Sequence, residues 1–280
     1  MIIDAWMQHP NPAWIGNPMF DSLRRWRPGK WSETAPPIGD TLAEMDRAGV
    51  SVGMLCGWHG PGGPMISNDE VAQHCRAHPD RFVGIASVDL FRPMDAVREL
   101  RLRVKRDGFK GLRVLPWVWG LPPDDRRYYP LFAECCELDI PFCTQVGHAG
   151  PLRESEPGRP IPYLDRVALE FPELRILGGH IGVPWLGEML SLVMKYPNVF
   201  IEHVGLQGQP LPARACRLHA RQQKASGSLR IQPSLLARGR VHRRPRRPPT
   251  RRRRPFRIPD GQRAASVQAR LIFRIPEPQP

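Results

Sequence analysis

A chain of 280 residues is long enough for one large α/β barrel or two smaller domains. It has no apolar run of about 18 residues, which excludes a membrane-spanning helix, and it opens on Met1-Ile2-Ile3-Asp4 without a signal-peptide pattern, so a cytoplasmic protein is expected. The formal charge of +14 is unevenly held: residues 204–280 carry 18 Arg, one Lys and two acids, which leaves residues 1–203 at −3.

The chain therefore divides near residue 203 into a slightly acidic, enzyme-like segment and a basic tail. Met1 to Trp6 reads as a first strand, and Pro10 and Pro12 open a long loop after it. A first helix is expected from about Gly39 to Gly49, with Leu42, Met45 and Ala48 on one face and Gly49 as its stop. Ser51 to Trp58 is a second strand. Ser67 and Glu70 then form a capping-box pattern that starts a helix running to about His78. Arg81 to Asp89 is a third strand, and Pro93 to Arg106 a third helix with Met94, Val97, Leu100 and Val104 as its apolar positions. Phe109 to Pro116 is a fourth strand followed by Trp117 and Trp119, and Tyr128 to Leu138 a fourth helix.

Residues 140–185 hold two near-copies of one phrase: Ile140 to His148, then Ala149-Gly150-Pro151, and Leu174 to His180, then Ile181-Gly182-Val183-Pro184. Each is a short apolar run that ends in a histidine and is stopped by Gly and Pro. Ile161 to Phe171 lies between them with the spacing of a helix face. Strand, helix, strand at this spacing is a βαβ unit, which requires a parallel sheet. His148 and His180 are thereby placed at the carboxyl ends of neighbouring parallel strands, where α/β folds carry their chemistry.

Pro184 to Tyr196 is a sixth helix and Asn198 to Glu202 a seventh strand. Seven strands alternating with helices, in units of roughly 25 to 35 residues, is the rhythm of a (β/α)₈ TIM barrel. No eighth strand is legible, so an incomplete barrel of about seven strands is expected. The six cysteines contain no CxxC pair and read as reduced thiols.

The tail interrupts arginine runs with proline, as in Arg243-Arg244-Pro245-Arg246-Arg247 and Arg251 to Pro255, which suits neither a helix interior nor a central strand. Disorder is expected from residue 204 on. Three readings stay open. The tail is a basic arm that binds nucleic acid or another polyanion nonspecifically, a solvated linker, or a frame-shifted translation. The genetic code supports the third. One nucleotide on, codons permitted for Ser228 to Leu236 plus Ala237 can spell Leu-Phe-Gly-Ser-Asn-His-Pro-Phe-Trp, which suits an eighth strand. Codons for His203 to Ala213 can, at the same offset, spell further barrel-like sequence.

Ile2-Ile3-Asp4, Gly108 to Arg113, the strand ending at His148, Phe171 to Leu174 leading to Gly179-His180-Ile181-Gly182, and Tyr196 to Phe200, in this order, resemble the amidohydrolase-related family. The resemblance is to its aminocarboxymuconate-semialdehyde decarboxylase-like branch and covers residues 1–203. It implies a metal-dependent-hydrolase type of barrel that hydrolyses or decarboxylates a small carboxylated, often aromatic, compound with a zinc or manganese ion. It also implies a His-x-His ligand pair at the end of the first strand, where this chain has Trp6 and Gln8. Indole only donates hydrogen bonds, and an amide oxygen binds zinc poorly.

Two mechanisms follow. In one, His148 and His180 hold a divalent metal with His9 or His59 as substitute ligand. In the other no metal is present: His148 or His180 is the general acid/base, Arg113 clamps the substrate carboxylate, and Trp6, Gln8, Trp58 and Trp117 line the substrate pocket. A homo-oligomer is compatible with either. The competing reading is a non-catalytic protein whose basic tail binds a polyanion.

Overall fold

Eight short strands, seven of them apolar runs of three to six residues, form a single parallel series with helices between them. A computed structural model describes residues 2–26, 34–180 and 182–202, together with the backbone of Arg230–Ile231. In chain order the series is β1 (Ile2–Met7), α1 (Ile38–Ala48), β2 (Val52–Cys56), α2 (Asn68–Ala77), β3 (Phe82–Ile85) and α3 (Pro93–Asp107). It continues with β4 (Leu112–Val114), α4 (Tyr129–Glu137), β5 (Phe142–Gln145), α5 (Tyr163–Glu170), β6 (Ile176–Gly179), α6 (Leu186–Lys195), β7 (Val199–Ile201) and β8 (Arg230–Ile231).

Parallel pairing runs β8-β1-β2-β3 on one side and β4-β5-β6-β7 on the other. A single bridge, Ala86 to Leu112, joins the two halves. The register places Asp4 beside Gly53, Arg113 beside Cys143, Cys143 beside Leu177, and Leu177 beside Phe200. Between Asp4 and Met7 the β1–β2 register shifts by a bulge, a device that re-aims side chains at the rim of a barrel. Among the described residues the fold is a TIM-type barrel of parallel strands alternating with helices, as the alternation in the sequence implies.

The helices dock where their apolar faces require. Ser67 and Glu70 form the expected capping box at the start of α2, with both reciprocal bonds present. Gly49 ends α1 at φ 69°, a left-handed turn open to glycine. The buried Arg103 of α3 ties its helix to α2 through Asp69 at 2.6 Å and to its own turns through Glu99 and Asp107. The five cysteines among the described residues are free thiols, as their spacing suggested. No helix among those residues is long and apolar enough to cross a membrane.

Three elements depart from the sequence reading. The loop after β1 folds into short helices at Pro12–Ile15 and Asp21–Trp26, with a 3-10 turn at Pro18–Phe20 between them. Asn11 and Asn17 cap two of these from positions just before a proline, a start signal present in the sequence. Trp58 is not the end of β2. It opens a separate antiparallel hairpin, Trp58–Gly60 with Gly63–Ile66.

The third departure is β8. An eighth strand was not expected, yet Arg230 and Ile231 lie parallel to β1, beside Ile2 and Ile3. The rest of the tail, and with it the expected disorder, lies outside the described residues.

Candidate functional site

The bulge in β1 and the inward alternation of the strands bring Trp6, Gln8, Trp58, Trp117 and Arg113 together at the carboxyl end of the barrel. Arg113 is the centre. Its side chain is 1 % exposed, with the guanidinium carbon over the Trp6 ring at 5.3 Å and over the Trp58 ring at 5.5 Å, so it takes cation–π stabilisation from two indoles. Its Nη1 donates to Gln8 Oε1 at 3.2 Å and its Nη2 to the Gly57 carbonyl at 3.1 Å. Both partners are neutral. Nε meets no acceptor among the described residues, and neither does the buried indole N–H of Trp58. Burial lowers the Arg113 pKa, but a guanidinium stays charged in any protein interior.

The walls are ordered by hydrogen bonds. Trp117 meets Trp58 edge-on at 5.9 Å and donates its indole N–H to Gln145 Oε1 at 2.8 Å. Gln145 in turn donates to the His148 carbonyl at 3.0 Å, so one amide fixes both the aromatic wall and the turn after β5. Trp6 lies flat over Gly179: a Cβ there would meet three indole carbons at 2.8, 2.8 and 2.9 Å, so only glycine lets the ring approach β6. His180 meets the edge of the same indole at 5.8 Å. Its φ of 67° is a left-handed backbone conformation, uncommon outside glycine and concentrated at functional sites.

Below this layer are Asp4, Cys56, Cys143 and Glu202, all buried. Asp4 accepts the backbone N–H of Trp6 at 3.0 Å and holds the bulge in place. Burial, and then the nearby Asp4 carboxylate, push the Glu202 pKa well above the ordinary range, partly offset by the His180 backbone N–H. Burial raises the Cys56 thiol to about 11 and the Cys143 thiol further, so neither is a nucleophile near neutral pH.

The remaining histidines stand apart. His148 is exposed, with its Nδ1 3.3 Å from the Val183 carbonyl and its ring 6.5 Å from Trp26. His9 is taken by Thr41 at 2.9 Å and by the His74 ring at 4.9 Å. Its pKa falls to about 4, through burial first and His74 second. His59 stacks on Trp119 at 5.9 Å and contacts the Gly60 carbonyl through Nδ1. Among the described residues, no three His, Cys, Asp or Glu side chains stand where they could hold a metal ion.

A family described as amidohydrolase matches residues 34–225. The chain belongs to the amidohydrolase family. Gamma-resorcylate decarboxylase of Rhodococcus jostii (strain RHA1) is 29 % identical over 184 residues, which cover 55 % of this chain and 48 % of that protein. The chain spans about half the length of the curated relatives it matches. An uncharacterised TIM-barrel protein from Bordetella bronchiseptica superposes with a TM-score of 0.63 at 24 % identity, covering 83 % of this chain and 84 % of its own. A dihydroxybenzoic acid decarboxylase from Polaromonas sp. JS666, solved with manganese and the inhibitor 2-nitroresorcinol, gives 0.56 at 18 % identity, covering 83 % and 85 %. The Polaromonas protein thus carries manganese on this fold, and the barrel expected from the resemblance is the fold these structures share.

The described residues do not fit such an ion. Of the two positions where the resemblance expects ligands, Trp6 places a hydrocarbon ring over Gly179, and Gln8 Oε1 already accepts from a guanidinium. A divalent ion ~4 Å from Arg113 would be repelled by about 8 kcal/mol at an effective dielectric constant near 20. His9 and His59, the substitute ligands, are engaged elsewhere.

Sequence reasoning had treated Glu202 only as a strand residue, and had passed over Gln145. A polar residue at the end of an apolar parallel strand was the available signal for both.

Proposed function

We propose that the chain is a carboxy-lyase-type enzyme that removes carbon dioxide, without oxidation, from a small aromatic carboxylate. One observation carries this reading. A fully buried guanidinium has neutral partners, an unused Nε–H, and indole faces on two sides. Such a group is completed by a planar carboxylate, which takes two parallel N–H donors, and the indoles accept the ring that bears it. The catalysed decarboxylations named for the relatives above agree with this substrate class.

Arg113 anchors the acid, and Trp6, Trp58 and Trp117 exclude water from it. His180, at the edge of Trp6, is the group placed to give a proton to the ring carbon that carries the carboxylate. When the bond between that carbon and the carboxylate breaks, its electron pair restores the aromatic ring and carbon dioxide leaves. His148, exposed and turned to Val183, lies at the rim and is assigned no proton-transfer step.

The test is carbon dioxide release from a panel of hydroxybenzoates by the full chain and by His180→Ala. Loss of a general acid is expected to slow turnover by roughly 10²- to 10⁴-fold. Turnover by the variant equal to that of the parent would remove His180 from the mechanism. Release from none of the acids would remove the decarboxylase reading.

A further inference from the structure

Trp6 and Gln8 stand where the family resemblance expects the first two metal ligands, and both are turned to another use: the indole seals Gly179, and the amide oxygen accepts from Arg113. Two expected ligands are thus absent, and the fixed cation Arg113 stands at the same corner of the barrel. We propose that the Arg113 guanidinium, held between Trp6 and Trp58 by Gln8 and the Gly57 carbonyl, takes over the role of the divalent ion, so that this member binds its aromatic acid without metal. The inference rests on the carboxylate site proposed above and deepens it by naming the cation that recognises the substrate.

The construction is specific to a guanidinium. Its central carbon lies over two indole rings at 5.3 and 5.5 Å, a setting that a planar, weakly hydrated guanidinium suits better than a compact, strongly hydrated ammonium. Two of its nitrogens are spent on Gln8 and Gly57. These bonds fix the fork, while Nε–H and, on another residue, the Trp58 N–H are buried donors that meet no acceptor among the described residues. A buried donor without a partner is costly in the empty protein, and a carboxylate at Nε relieves that cost.

The test uses the full chain and gamma-resorcylate (2,6-dihydroxybenzoate) as probe. Metal content is measured by mass spectrometry after expression with added manganese, and probe binding is followed by quenching of tryptophan fluorescence, with EDTA or with manganese. The expected result is metal far below one ion per chain and the same Kd in EDTA and in manganese. Arg113→Met is expected to weaken binding roughly 10- to 100-fold, with Arg113→Lys between it and the parent.

One tightly held manganese per chain, or a Kd that requires manganese, overturns the inference while the carboxylate site stands. No binding with or without manganese overturns the carboxylate site itself, and the role of Arg113 with it. The metal measurement uses the parent chain alone, so it decides the question even where Arg113→Met does not fold.

Discussion

Glu202 shows how one buried side chain sets a pH dependence for the whole barrel. In the unfolded chain its carboxyl titrates near 4.5; in the folded one, burial and the Asp4 charge hold the proton well above that value. The folded state therefore binds more protons than the unfolded state above pH ~4.5, and stability falls as pH rises through that window. Glu202→Gln, which cannot ionise, is expected to flatten this limb of the stability curve. Urea unfolding at a series of pH values checks it, and identical curves for the two proteins would show that Glu202 is ionised in the fold. Arg113 was legible at this scale because a basic residue inside an apolar strand is rare, and so was Trp6 because it stands where the resemblance expects a histidine. His148 was only half legible. Its place in the chain was visible, but not that three residues beyond β5 its ring would face solvent instead of the barrel.

Among elements, the alternation of strand and helix was plain because parallel strands buried on both faces are uninterrupted apolar runs, closed by Gly and Pro. The short helices after β1 were hidden because a four-residue helix has no periodicity to detect. One junction ties these levels together. Glu70 caps α2 by accepting from the Ser67 backbone and hydroxyl at 2.7 Å, and it also accepts from Asn11 at 2.8 Å. Asn11 in turn caps the helix Pro12–Ile15 by accepting the Trp14 N–H. Ser67→Ala, which removes one cap, is expected to cost about 1 kcal/mol. Glu70→Ala releases two helix starts and leaves Asn11 without its carboxylate, so it is expected to cost more. Urea midpoints of the two variants compare them directly, and an equal loss would mean that the Asn11 contact adds nothing.

For the whole molecule, the seam between the last strand and the first is the weakest part of the design. β1 is six residues long, and among the described residues β8 meets it at Arg230 and Ile231, beside Ile2 and Ile3. Barrels abolish sheet edges by closing, and an edge left partly uncovered invites pairing with another chain. The two residues fall within 228–236, the stretch that a one-nucleotide shift can re-spell as Leu-Phe-Gly-Ser-Asn-His-Pro-Phe-Trp, a sequence that suits an eighth strand beside β1. The frame-shift reading makes a physical prediction that the linker and polyanion readings do not. A chain carrying the shifted sequence from residue 203 onward is expected to melt several degrees higher than the chain as written, and to stay monodisperse on heating where the present one aggregates. Thermal unfolding with light scattering on both chains measures this. Equal melting temperatures would mean that the present tail closes the barrel as well as the shifted one, and would leave the arginine run to be explained by what it binds.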